Sequence, residues 1–337
     1  MRAQNSATTI AEEFQEHIKK AYKHDKIIQM APLIVLVVII GVFSIFAPGF
    51  FSSGNVLVLL TQMSIPLIVA TGITFILLIG SIDLSLDGVM GLTAAVTGLL
   101  VLNDKNNFDL GIFGMVLAVV IAGLCGLITG IIFVKWKIPS FMVSFAMASV
   151  TYGLAMLSYR ALAPMISDPM VRMIALTKVL GLPIFFYISM VLFIIALTVQ
   201  EKTAFGKYIY AIGENEGLAK ITGLNVDAIK IKVFVWSSLF VGVAGACGAS
   251  QIGRGDVSVG IGQLFPALAA VVVGGTSLSG GKGGVQHTLI GVIIITIMNN
   301  GLVLIGANPY FKNGILGLIL IIAVVLTVTR NKKLVTK

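Results

Sequence analysis

Glu201-Lys-Thr-Ala-Phe-Gly-Lys-Tyr-Ile-Tyr-Ala-Ile-Gly-Glu-Asn-Glu-Gly-Leu-Ala-Lys-Ile-Thr-Gly-Leu-Asn-Val-Asp-Ala-Ile-Lys-Ile-Lys-Val233 is a charged stretch set between long apolar blocks. It carries Lys202, Lys207, Lys220, Lys230 and Lys232 against Glu201, Glu214, Glu216 and Asp227. The stretch is wet and too short for a catalytic domain. Within it, residues 213–225 predict a short helix with acids in its first turn, Lys220 near its end and Gly223 as terminator. Such a knob, on a chain that otherwise reads as membrane spans, is what a separate motor would grip.

The apolar blocks decide the class. The chain is 57% hydrophobic and 11% charged, against roughly 45–50% and about 25% in soluble domains, which excludes an ordinary globular enzyme. Ile27–Ala47, Val56–Gly80, Gly111–Val134 and Gly181–Val199 each approach or exceed the ~20 residues a helix needs to cross the hydrocarbon core. Spans are expected near 27–47, 56–80, 88–102, 111–134, 138–159, 181–199, 233–252, 263–275, 285–306 and 314–329. The short third and eighth spans are candidates for half-helices or re-entrant segments. Residues 1–26 and 330–337 read as cytoplasmic tails flanking a transmembrane domain, 27–329, with 201–233 as its long inner loop. No A-x-A-like site follows the first apolar run, so Ile27–Ala47 reads as a retained span.

With the N-terminus inside, the cytoplasmic segments hold 17 of the 23 Lys and Arg. The outer segments hold Lys105, Arg160, Arg172, Lys178, Arg254 and Lys312. This asymmetry follows the positive-inside rule, so the formal net charge of +9 needs no nucleic-acid partner. Cys125 and Cys247 both lie in apolar runs and offer neither a disulfide framework nor a thiolate metal cluster.

Glycine is abundant, 37 in 337 residues. Gly126 with Gly130, and Gly245 with Ala249, put small residues four apart on one helix face, where neighbouring backbones approach closely. Leu78–Val89 and Val273–Val285 look like copies of each other, each following an apolar run and opening another helix. Gly-interrupted hydrophobic segments in matching places point to a transport pathway; ten full spans make the copies parallel, and one re-entrant segment would make them inverted. Asp83 and Asp87 are acids at membrane depth, where an ionised side chain costs roughly 2.5–3.5 kcal/mol at a helix centre. Asp83 or Ser85 reads either as a helix N-cap, with Ser277 or Ser279 its counterpart, or as part of an unwound segment facing a cavity.

Catalytic motifs are missing. Gly281-Lys282 fails as a phosphate loop, because the flanking positions that need Gly and Ser or Thr hold Thr276 and Gly283. There is no G-x-S-x-G elbow, and His17, His24 and His287 have no spacing suited to a metal or a triad. The fifth span mixes Ser140, Ser144, Ser149, Thr151 and Tyr152 with Phe141 and Phe145, a blend that suits either helix packing or the alternating polar and apolar faces of a sugar.

Several of these runs carry a family resemblance. Gly80-Ser-Ile-Asp-Leu-Ser85, Phe205–Glu216 continuing to Ile221-Thr-Gly-Leu-Asn225, Val271–Gly281 and Met298-Asn-Asn-Gly-Leu302 resemble the ribose-type permease subunits of ATP-binding-cassette (ABC) importers. The resemblance spans nearly everything after residue 30. Members usually carry Gly-Gly before Ile-Asp-Leu-Ser, where this chain has Gly80-Ser81, and a small residue where it has Asp87. The resemblance implies an all-α polytopic bundle of about ten helices with an internal repeat, similar to vitamin-B12-importer-type permeases. It implies three partners besides the sugar: an ATP-binding-cassette ATPase that holds the ATP, an extracytoplasmic sugar-binding protein, and a second permease copy or similar paralogue. The chain itself would carry no cofactor and no catalytic site, and its place would be the bacterial plasma membrane.

By the same resemblance, Glu214, Asn215, Glu216, Leu218, Ala219, Lys220, Thr222 and Gly223 would couple to the ATPase. Asp83, Ser85, Phe141, Phe145, Tyr152, Ser277, Ser279, Asn299 and Asn300 are translocation-path candidates. Arg160, Arg172 and Arg254 would meet the binding protein. The alternative, an ion- or proton-coupled secondary transporter, would need a relay, and Asp83 has no evident charged partner within the spans.

Overall fold

The computed structural model describes residues 30–308 except 161, together with 311, 314, 315, 317, 318 and 321. The two tails and most of the span expected at 314–329 lie outside the described residues. The helices run α1 Met30–Phe46, α2 Ser53–Leu78, α3 Leu86–Leu100, α4 Gly111–Lys135, α5 Ser140–Tyr159, α6 Pro169–Leu176, α7 Ile184–Lys202, α8 Ala204–Glu214, α9 Glu216–Ile221, α10 Val226–Ile252, α11 Leu264–Gly274 and α12 Val285–Leu304. Among the described residues, α2, α4, α5, α7, α10, α12 and the stretch Val257–Gly274 that ends in α11 are long and apolar enough to cross a membrane, and α1 and α3 are shorter apolar helices. These nine match the first nine expected spans. A polytopic, all-α membrane protein follows. Its sheet content among the described residues is one hairpin, β1 Lys178–Val179 with β2 Leu182–Pro183, turning through Leu180 and Gly181 at positive φ. That hairpin and α6 have no counterpart among the expected elements.

The centre of the bundle is α10. Its 27 residues lie largely buried against α2, α3 and α4. Small residues make this possible: a Cβ on Gly126 of α4 would stand 2.5 Å from the Phe234 carbonyl, and one on Gly245 of α10 would stand 2.5 Å from the Met90 carbonyl. Backbones this close bring many weak dispersion contacts into range, which drive helix association where lipid removes the hydrophobic incentive. Polar pairs fasten other helices across the bundle. Thr74 of α2 and Thr288 of α12 share a 2.6 Å hydrogen bond, and Asn300 Nδ2 donates to Asn55 Oδ1 at 3.0 Å.

The charged segments sort to opposite ends. At one end, Ile166 N–H donates to the Gly253 carbonyl, Ser167 N–H to Leu102 O and Gly255 N–H to Pro164 O, which gathers the loops bearing Lys105, Arg160, Arg172 and Arg254. At the other end, Gly281 N–H donates to the Leu78 carbonyl at 3.0 Å. There Gly213 is pressed so closely on Leu78 O and Gly281 that a Cβ has no room. Phe205 of α8 stacks over Phe75 of α2 and meets Trp236 of α10, so the amphipathic helix α8 is anchored into the bundle by its aromatic face.

The charged loop differs from the expectation in detail. α7 runs on to Lys202 and α10 begins at Val226, so the connector shortens, and it holds two helices rather than one. Glu214 ends α8. Asn215 closes α8 and caps α9, its Oδ1 accepting from Leu218 N–H at 3.0 Å; α9 carries Glu216 in its first turn and Lys220 in its last, with Gly223 beyond at φ +85°.

The internal symmetry also differs from the sequence copies. Segments 78–89 and 273–285 touch at one end of the bundle, each following a helix that runs toward that end, so these copies are parallel. A second, inverted relationship runs deeper. α2 leads into an extended segment at 81–85 and then α3; α10 leads into a re-entrant segment at 253–263, holding the 3-10 turn Val257–Val259, and then α11. α2 and α10 are antiparallel, since Gly72 meets Phe240 while Thr61 and Gln62 share a cavity with Gly248 and Gln251. α3 and α11 therefore point their N-termini at each other from opposite ends. With 11 residues, α11 spans about 16 Å at 1.5 Å per residue, half of the ~30 Å hydrocarbon core.

Candidate functional site

Where α3 and the half-helix α11 meet, α2, α3, α10 and the re-entrant segment line a partly open cavity of about 340 Å³. Its polar walls are Thr61, Gln62, Gln251, Ser258 and Gln263; its apolar walls include Ile65, Pro66, Met90, Ile252 and Val259. Gln62 and Pro66 also line a neighbouring cavity of about 220 Å³ with Pro266, Thr296 and Asn299. Pro66 lies inside α2 and has no N–H to give the Gln62 carbonyl four residues back, so the helix is loosened where the cavities adjoin. None of the residues lining either cavity is charged. Amides and hydroxyls set among apolar walls can hold a neutral solute by paired donors and acceptors.

Of the path candidates, Asn299 lines the smaller cavity. Asn300 is buried against Asn55. Asp83 and Ser85 sit buried in the extended segment, where Asp83 Oδ1 accepts from Ser85 N–H at 2.8 Å and from Ser85 Oγ at 2.6 Å. The N-cap reading of this pair needs correction: Ser85 occupies the cap position of α3 without a side-chain cap bond, and Asp83 closes a local turn instead. The unwound backbone is held from α5, where Ser140 Oγ accepts from Ile82 N–H at 3.1 Å and Ser144 Oγ from Leu84 N–H at 2.9 Å. Two hydroxyls that suggested sugar contact are thus spent on backbone. Phe141, Phe145 and Tyr152 lie on the exposed face of α5.

Ser277 and Ser279 do not cap α12 either. Ser277 Oγ accepts from Ser279 N–H within the glycine-rich turn. The orphan amides at the start of α12 go to Thr276 Oγ1, which accepts from Gly284 N–H at 3.1 Å, and to Gln200 Oε1 of α7, which accepts from Val285 N–H at 2.7 Å. Gln200 lies 85 residues away, a distance no capping pattern reveals.

At the charged end, Glu216 accepts from Lys220 at 2.8 Å and from Lys230 of α10 at 2.7 Å, and Lys230 also rests over the Phe133 ring, 5.1 Å from its centre. Partial burial pushes the Glu216 carboxyl up, but the two ammonium groups outweigh it and leave it below its ordinary value. Leu218 and Ile221 stand 60% and 82% exposed on α9, while Ala219 is buried beneath them. At the opposite end, Arg172 Nη1 donates to the Ser250 carbonyl at 2.5 Å, so this arginine caps the end of α10. Arg160 borders a surface cleft with Lys105, Asn106 and Tyr159, and Arg254 is exposed beside its bridge to Met165.

The cavity's glutamines were not among the sequence candidates. Gln62, Gln251 and Gln263 are spread over 200 residues, and only the inverted pairing of α2 with α10 brings them together.

The family described as "branched-chain amino acid transport system / permease component" matches residues 55–324. The ribose import permease protein RbsC of Haemophilus influenzae is 35% identical over 303 residues, covering 88% of this chain and 92% of that protein. RbsC of Escherichia coli K12 is 31% identical over 312 residues, with 91% and 95% covered. The L-arabinose ABC transporter permease protein AraH of Azospirillum brasilense is 32% identical over 292 residues, with 87% and 85% covered. No solved structure matches the chain. A family match over most of the length, relatives aligned nearly end to end and the nine apolar helices place this chain in that permease-component family, as a transport permease subunit of the ribose type of ABC importer.

Proposed function

We infer that this chain forms the translocation path of an ABC importer for a neutral, polyhydroxylated solute of monosaccharide size. The observation that carries the reading is the uncharged cavity walled by three glutamine amides and two hydroxyls. A zwitterionic amino acid would arrive with two charges that need partners in a low-dielectric site, and this lining offers none. The named solutes of the relatives, ribose and L-arabinose, are neutral polyols of suitable size.

In this reading α8 and α9 face the cytoplasm, as the positive-inside asymmetry requires. A separate ATPase grips α9 through Leu218 and Ile221, and ATP is bound there rather than on this chain. A solute-binding protein docks at the opposite end, where Arg160 and Arg254 are available to its carboxylates. A second copy, or a similar permease, packs along the exposed face of α5. The membrane is the bacterial inner membrane, with both termini cytoplasmic.

Uptake of radiolabelled ribose, L-arabinose and leucine in a deletion strain carrying the chain with its neighbouring transport genes tests this. One or both sugars should accumulate, with Gln62→Leu and Gln251→Leu lowering uptake at unchanged membrane levels of the protein. Leucine uptake without sugar uptake would overturn the reading.

A further inference from the structure

Asp87 lies in the first turn of α3, and its carboxylate reaches across to the other half-helix. Oδ1 accepts from Leu264 N–H at 2.7 Å and Oδ2 from Gly262 N–H at 3.0 Å. The first amides of a helix have no partners within it, and Gln263, at the cap position of α11, makes no side-chain cap bond of its own. The cap is supplied from another helix, 177 residues away. Two helix N-termini face each other here, each a partial positive charge, and the carboxylate between them offsets both. Packing reinforces the contact: Gly260 sits against the Asp87 carbonyl with no room for a Cβ, and Gly91 abuts Val257.

Between the two clasped amides lies Gln263, which lines the cavity along with Ser258 and Val259 of the same re-entrant segment. We propose that Asp87 is a positioning residue for transport: by holding the N-terminus of α11 against α3, it sets where Gln263 meets the solute and keeps the seam between the half-helices shut. The proposal rests on the cavity being the solute path only for its transport arm; the clasp itself is read separately.

The test uses the full transporter in membrane vesicles, with cysteine reporters at Gln263→Cys, beside the clasp, and Thr61→Cys, on the far wall; buried Cys125 and Cys247 supply the background. Asp87→Ala should speed maleimide labelling at 263 about tenfold, the scale of losing charge-assisted bonds that restrain a local opening, and leave labelling at 61 unchanged. Asp87→Asn, which keeps one acceptor oxygen, should fall between. An unchanged rate at 263, or equal rises at both reporters, would overturn the proposal. With native Gln263, Asp87→Asn should raise the half-saturation concentration for radiolabelled ribose by more than it lowers the maximal rate; a fall in maximal rate alone would mean a merely structural role and overturn it. If the parent protein takes up neither ribose nor L-arabinose, the solute assignment falls, and the labelling rates still decide the clasp.

Discussion

Glu216 of α9 and Lys230 of α10 are joined at 2.7 Å, so the small exposed helix at the charged end is tied to the helix at the centre of the bundle. Lys230 is only 12% exposed and Glu216 41%. The tie therefore links a wet surface to a dry interior.

Glu216→Gln should leave the fold nearly intact, because a half-exposed ion pair contributes no more than about 1 kcal/mol, while Lys230 keeps the Phe133 ring. Uptake should fall more than stability does, if α9 passes force to α10. Thermal unfolding of the detergent-solubilised protein, compared with sugar uptake, separates the two effects.

The pH response of this tie has a definite sign. The Glu216 carboxyl is held below its ordinary 4.5 in the folded protein, so its contribution is fully present above that value and disappears as pH falls through the lowered one. Melting temperature followed from pH 6 downward should show a loss that Glu216→Gln lacks. Equal acid sensitivity of both proteins would contradict the assignment.

Leu218→Asp and Ile221→Asp change side chains that touch little of the bundle. Expression and melting temperature should match the parent, and co-purification with the ATPase should be lost. Retained co-purification would remove α9 from the docking surface.

Ser144→Ala removes the buried acceptor for the N–H of the partly buried Leu84. An amide left unpaired there costs about 1–3 kcal/mol, which a thermal or denaturant melt should report. Phe145→Ala, on the exposed face of the same helix, serves as the contrasting variant and should cost less.

Gly245→Ala should destabilise by about 1–3 kcal/mol through overpacking, because the new methyl meets the Met90 carbonyl and the Thr93 side chain. Gly153→Ala, on α5 with open space around it, should be neutral or slightly stabilising from helix propensity. The pair measured side by side in one detergent distinguishes crowding from a general intolerance of change.

Much of this architecture was readable from residue order, and the boundary of what was readable is physical. Apolar runs marked nine helices because lipid demands length and hydrophobicity from each span independently. Glu216, Lys220 and Gly223 marked α9 because capping chemistry is local. The clasp of Asp87 on Leu264 was not readable, since its donors are backbone amides, which every residue except proline possesses. Ser140 and Ser144 fitted helix packing and sugar contact alike for a related reason: a hydroxyl's presence does not tell which partner will occupy it. The cavity glutamines were overlooked because a neutral amide carries no formal charge to mark it, whereas Asp83 does. The turning segments were legible only locally: the resemblance of 78–89 to 273–285 is one of local turn sequence, and the deeper inversion joins pieces that share little more than a pattern of breaks.

Gly213, Gly281 and the Leu78 carbonyl meet with no space for so much as a methyl group among them. A linkage without clearance has no backlash. A push on α8 reaches both turning loops in the same instant rather than being absorbed by side-chain rearrangement, and the stroke needed at the surface can be correspondingly short.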